Sequence, residues 1–170
     1  GNAPFTFTFH DVGQATLWVS KTVNSAPLAG SSNAFVTRPA GFTFTNIRQT
    51  AAPNLANPAA ASAAGAAFVK AGESFSATVT AVTSLGATTP NYGRETIAEG
   101  VQLARTLVQP SGGANGTLAN GVLAGASFSN GVATATNLSF SEVGVITLTA
   151  SVADADYLGA GNVSGSASAN

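Results

Sequence analysis

The chain has 170 residues, 45% of them hydrophobic, with mean hydropathy +0.26, enough to bury the core of one large β-sandwich or of one domain and part of another. Only 8% of residues are charged, and six Lys+Arg against seven Asp+Glu leave a formal net charge of -1. That excludes the basic field a nucleic-acid partner requires, the lack of any apolar run of about 18 residues argues against membrane insertion, and the absence of Cys removes disulfides and thiolate metal sites.

The first residues, Gly1 to Pro4, lack the basic and apolar regions of a signal peptide, so an export signal is expected to have been removed or to belong to a longer parent chain. Phe5-Thr6-Phe7-Thr8-Phe9 alternates strictly and predicts a strand with three rings on one face. Ala15, Leu17 and Val19 alternate with Thr16 and Trp18 in a second strand, turning Trp18 outward. Further strands are expected over Phe42 to Ile47, Phe75 to Val82, Val132 to Phe140 and Val145 to Val152, with Gly, Pro, Asn and Asp clusters between them. The segment from Ala51 to Ala67, rich in Ala, Pro, Asn and Ser, reads as a surface insertion, because it has no apolar stripe with which to dock a helix. Thr96 to Val108 suits either a helical face or a strand; Gly100 and Pro110 frame a short element and favour the strand.

One pattern occurs twice. Phe9-His10-Asp11-Val12-Gly13-Gln14-Ala15-Thr16-Leu17 returns as Phe140-Ser141-Glu142-Val143-Gly144-Val145-Ile146-Thr147-Leu148, that is, F-x-[DE]-V-G-x-[AI]-T-L. The two copies stand about 130 residues apart, the spacing of repeated domains and not of short solenoid coils. Physically the pattern is a corner: a strand ends at Phe, the acid and Val turn the chain, Gly takes the tight backbone, and a new strand follows. The expected fold is therefore all-β, an immunoglobulin-like Greek-key β-sandwich. Residues 1–33 would be the C-terminal strands of a partial repeat, and 34–170 a complete sandwich with the Ala/Pro-rich insertion at 51–67. The remnant carrying Phe5, Phe7 and Phe9 would need another sheet, from the complete domain or from a neighbouring chain.

No catalytic constellation is present. The single His, His10, is replaced by Ser141 in the second copy, and no Ser lies in a nucleophile elbow. No two of the seven carboxylates are singled out as a glycosidase pair. Asp154 and Asp156, two residues apart in a turn, are the calcium candidates, since that hard cation takes carboxylate oxygens; the same pair also reads as an ordinary polar hairpin turn. No other cofactor is implied. Lys21 and Lys70 raise the option of a Lys–Asn isopeptide bond, which needs the lysine inside an apolar core beside an acid. Phe5, Phe7, Phe9 and Trp18 are the candidate interface residues, with sugar stacking as an alternative use of Trp18.

Several segments in order resemble repeat domains of MshQ-like proteins, encoded with the mannose-sensitive haemagglutinin type IV pilus of Gram-negative bacteria. They are Asn33-Ala34-Phe35-Val36-Thr37-Arg38-Pro39, Ala71-Gly72-Glu73-Ser74-Phe75 leading into Thr78 to Val82, Thr89-Pro90-Asn91-Tyr92-Gly93, and the stretches Phe140 to Gly144 and Asp156 to Gly159. The resemblance spans most of residues 33–160. It implies an exported protein, extracellular or at the cell surface, linked to pilus assembly or adhesion, and it supplies no catalytic residue. The expected role is a non-enzymatic structural repeat, a spacer or fibre module, with neighbouring copies or other pilus and surface proteins as partners. The alternatives are a carbohydrate- or host-binding adhesin module, and a non-catalytic accessory domain of a secreted hydrolase.

Overall fold

The computed structural model describes residues 4–62 and 64–169, and among them the chain is all-β: twelve strands, one 3-10 turn at Gly125–Ser127 and no α-helix. No helix of the described residues is long and apolar enough to cross a membrane. Two four-stranded antiparallel sheets carry the main body. The first runs β5 (Gly41–Gln49), β6 (Ser74–Val82), β10 (Val132–Phe140), β8 (Leu118–Ala119). The second runs β12 (Ser164–Ala169), β11 (Val145–Val152), β7 (Val101–Gln109), β9 (Val122–Leu123).

Alternation builds the core. In β6, Phe75, Ala77, Val79 and Ala81 are buried while the intervening Ser and Thr are not. Thr78 faces Thr134 across the sheet with their hydroxyl oxygens 3.0 Å apart. Leu148, Ala150 and Val152 of β11 and Val101 and Leu103 of β7 meet that face from the other sheet, forming one apolar cluster. Alanines on both sheets let them approach closely, and Phe42, Phe68, Phe75 and Phe128 fill the remaining space. At one margin the sheets come into backbone contact. A Cβ on Gly165 of β12 would stand 1.8 Å from the Phe42 carbonyl oxygen of β5, and one on Gly41 would stand 2.9 Å from that of Ser164.

The antiparallel registers sort the loops into two ends. Pairings such as Gly41↔Val82, Val132↔Thr80, Val152↔Val101 and Ser151↔Ser164 place the connections 83–100 and 153–163 at one end. The pairings Gln49↔Phe75, Ser139↔Ser74, Val145↔Gln109 and Ile146↔Ala169 place residues 50–73, 110–117 and 141–144 at the other. The chain therefore enters the sandwich at the first end, through β5, and leaves it at the second, through β12.

The N-terminal residues form a separate ribbon. β1 (Gly13–Ala15) pairs with β4 (Phe35–Thr37), and β2 (Trp18–Val23) pairs with β3 (Ala26–Ser31). The Ser32 N–H donates to the Leu17 carbonyl at 2.9 Å, so the two pairs make one long interrupted hairpin. Every residue of β2 and β3 is exposed.

Two expectations are corrected here. Phe5 to Phe9 is not a strand: the alternation is present, but nothing among the described residues pairs with its backbone, and the rings are 72%, 48% and 43% exposed. Ala15, Leu17 and Val19 were expected to face inward; Ala15 and Leu17 are half-buried, but Val19 is exposed like Trp18, because no sheet among the described residues packs on either face of β2 and β3. The strands expected over Phe42 to Ile47, Phe75 to Val82, Val132 to Phe140 and Val145 to Val152 are present as β5, β6, β10 and β11. The one over Ala15 to Val19 is split between β1 and β2, and β3, β4, β8, β9 and β12 were not expected. The Ala/Pro-rich segment lies in the irregular connection between β5 and β6. The ambiguous stretch resolves into β7 preceded by an irregular run from Thr96 to Gly100.

Candidate functional site

The two copies of the corner pattern can be compared atom by atom. Gly13 has φ +119° and Gly144 φ +146°, backbone that L side chains rarely adopt, so both corners place their glycine in the same unusual region. Their neighbours differ. A Cβ on Gly144 would sit 2.2 Å from the Gln109 carbonyl oxygen of β7, whereas one on Gly13 would meet nothing within 4 Å. Ile146 pairs with Leu107 on one side and Ala169 on the other; its equivalent, Ala15, pairs with Phe35 of β4. The hairpin β1–β4 with β2–β3 thus matches β11–β12 in its pairing, and among the described residues no strand takes the edge of β1 that β7 takes beside β11.

The corners differ as much in what covers them. Val12 is 3% exposed and belongs to the core cluster of the sandwich. Asp11 Oδ1 accepts the Val12 N–H at 2.9 Å and the Asn91 N–H at 3.1 Å, which ties the first corner to the loop between β6 and β7. Beside this joint lies a cleft of about 430 Å³ lined by Phe9, Val12, Thr37, Thr89 and Val163, across which Arg38 Nη1 donates to the Asn162 carbonyl at 2.6 Å. At the opposite end, Val143, the equivalent of Val12, is 71% exposed, and Glu142 is exposed beside it. Another cleft of about 430 Å³ adjoins Val143, walled by Phe68, Phe75, Phe140, Val145 and the Ala-rich connection.

A buried polar cluster braces the loops of the first end. The Tyr92 and Tyr157 rings stack at 5.7 Å and 17°, with both residues fully buried, and Phe42 and Phe128 pack edge-on against Tyr92. The Tyr157 hydroxyl donates to Glu95 Oε1 at 2.7 Å, and Tyr92 donates to the Gly100 carbonyl at 3.3 Å. Glu95 Oε2 accepts the Gly93 and Glu99 N–H groups, while Glu99 Oε1 accepts that of Leu158. Burial, reinforced by the Glu95 and Glu99 charges, pushes both phenols well above their ordinary value. Burial first, then the charges of Asp154, Glu95 and Asp156, raises the Glu99 carboxyl against the opposing Leu158 N–H. These residues hold the two loops that form the end where Asp11 docks. Alternation and composition did not single the cluster out; its one visible signal was that the chain's two tyrosines both lie in turn sequences, N-Y-G and D-Y-L-G.

The calcium candidates are engaged with their own loop. Asp154 Oδ1 accepts the Asp156 N–H at 3.0 Å, and Asp156 Oδ1 accepts the Gly161 N–H at 2.7 Å. Among the described residues no group of three or more His, Cys, Asp or Glu is placed to hold a metal ion. The isopeptide option is corrected: Lys70 is exposed, 3.5 Å from Glu73, and Lys21 lies on the fully exposed β2, so neither is in an apolar core. His10 is exposed. Of the candidate interface residues, Phe5, Phe7 and Phe9 lie along one segment, with Phe7 5.9 Å from Phe35, and Trp18 stands 77% exposed on the ribbon.

A family model described as DUF6701, second domain, matches residues 38–139, more than half of the chain. The match begins just after β4 and ends one residue before Phe140 of the second corner. No curated protein and no solved structure matches the chain.

Proposed function

Because the chain belongs to the DUF6701 family, through that family's second domain, we propose that it is a non-enzymatic structural repeat module of an exported, cell-surface or pilus-associated protein. It acts by holding other parts of that protein at a distance, in fibre assembly or adhesion. The observation that carries this reading is directional: the chain enters the sandwich at one end and leaves at the other, and the corner of the partial copy is seated on the entry end. A module built in this way adds length along one axis with each copy, the heterologous head-to-tail arrangement that gives an open array. Low charge and abundant Ser, Thr, Asn and Gly suit an exposed surface kept soluble without strong fields. The immunoglobulin-like connection order and the resemblance to MshQ-like proteins belong to this reading.

The test is location in the native organism. Antibody against the folded module should label intact cells, and protease added outside should remove the signal while a cytoplasmic marker survives. Labelling that appears only after lysis would overturn the surface assignment.

A further inference from the structure

We propose that Glu142–Val143 is a docking corner that seats on the following domain of the same kind, as Asp11–Val12 seats on the complete domain here. The inference rests on the repeat reading above and adds the joint by which consecutive modules hold each other.

The occupant is fixed by what the chain itself displays. The two corners share Phe, Val, Gly, Thr and Leu and a matched acid, and the two glycines share their positive-φ backbone, so the acid and valine leave the turn in comparable ways. In the first copy that valine is buried and the acid binds the Asn91 N–H; in the second copy both are exposed. Val143 is an exposed apolar side chain at a corner, next to an apolar cleft walled by Phe68 and Phe140, where a seated domain would cover it as the sandwich covers Val12. Burying it in the same manner removes apolar surface from water, which favours the joint.

Topology allows the step. Ala15↔Phe35 at the first corner corresponds to Ile146↔Ala169 at the second, so Ala169 of β12 takes the place that Phe35 of β4 takes. A domain continuing from there begins as residues 35–41 do and brings its own equivalent of the Asn91 loop to the corner. A second free copy does not fit, because its Asn91 loop already holds its own Asp11 and Val12. Glu142 is one methylene longer than Asp11, so the receiving N–H is met by a longer reach of the same chemistry.

The chain lacks Cys, so one introduced thiol reports cleanly. Val143→Cys and Val12→Cys are compared in the single chain and in a tandem in which residues 1–167 are followed directly by 34–170. In the single chain the thiol at 143 should react with a maleimide at least about tenfold faster than the thiol at 12. In the tandem the thiol at the first unit's 143 should slow by a similar factor of about ten, while that at the second unit's 143 stays fast. An unchanged rate at the first unit's 143 overturns the joint, as does a tandem whose second unit fails to fold, since the first corner would then not replace residues 1–33. Fast labelling in the tandem with surface labelling of intact cells would remove the joint and leave the surface reading standing.

Discussion

Asp11 accepts the backbone N–H of Asn91 across eighty residues of sequence, at 3.1 Å, and with the burial of Val12 beside it this bond ties the N-terminal ribbon to the sandwich. Asp11→Ala removes that acceptor and the one for Val12, at an expected cost of about 1–2 kcal/mol, low for a charged acceptor because the site is partly wet. Hydrogen exchange at the Asn91 amide should speed up markedly, while exchange in β6 and β11 stays slow. Asp11→Asn, which keeps Oδ1, should lose less.

The two corner glycines offer a matched pair. Gly144→Ala places a Cβ on the Gln109 carbonyl oxygen and also strains the backbone; Gly13→Ala strains the backbone only. The backbone part costs about 1–3 kcal/mol at either site. Chemical denaturation should therefore show Gly144→Ala to be clearly the more damaging, and equal losses would mean that β7 does not pack against the second corner as described.

Gly165 is the one residue type that fits its place. Its backbone has no unusual φ, so the whole cost of Gly165→Ala comes from the Phe42 carbonyl oxygen 1.8 Å from the new Cβ. Separating β12 from β5 at that margin should cost at least about 1–3 kcal/mol. The loss should appear in thermal melts and in faster exchange along β12. An unchanged melting temperature would show that the two edge strands do not meet there.

The tyrosine pair gives a pH test. The chain has two tyrosines, and burial raises both phenols above their ordinary value of 10.0, Glu95 adding to the rise at Tyr157. A raised folded value means that the protonated phenol favours the fold: its contribution is fully present below about pH 10 and is lost as pH climbs toward the folded values. Alkaline titration should show no phenolate absorbance until the chain unfolds, then a single step for both rings. Gradual ionisation near pH 10 in the folded protein would contradict their burial. Tyr157→Phe, which leaves Glu95 Oε1 without its 2.7 Å donor, should cost about 1.5–3 kcal/mol.

The sequence was most informative where alternation and burial coincide. Val132–Phe140 and Val145–Val152 were expected and found with those bounds, since each buries every second residue against the opposite sheet over most of its length. The Phe5 to Phe9 segment alternates just as strictly but pairs with no strand among the described residues, because alternation records which side of a chain is apolar and not whether a partner lies beside it. The corner pattern was readable from its repetition. Its difference in burial was not, because Val12 and Val143 are the same residue type in the same motif, and only the surrounding chain separates them. The Tyr92–Tyr157–Glu95 cluster escaped notice because its members come from two distant loops with no shared spacing.

Small-angle scattering on the tandem of residues 1–167 and 34–170, measured beside the single chain, tests the head-to-tail account most directly. A nine-residue strand such as β6 sets a module length of about 30 Å. The account predicts that the maximum dimension grows by at least about that length while the cross-section stays constant, with a profile fitted by one rigid rod. A tandem that thickens instead of lengthening, or that scatters as two freely jointed beads, would contradict it.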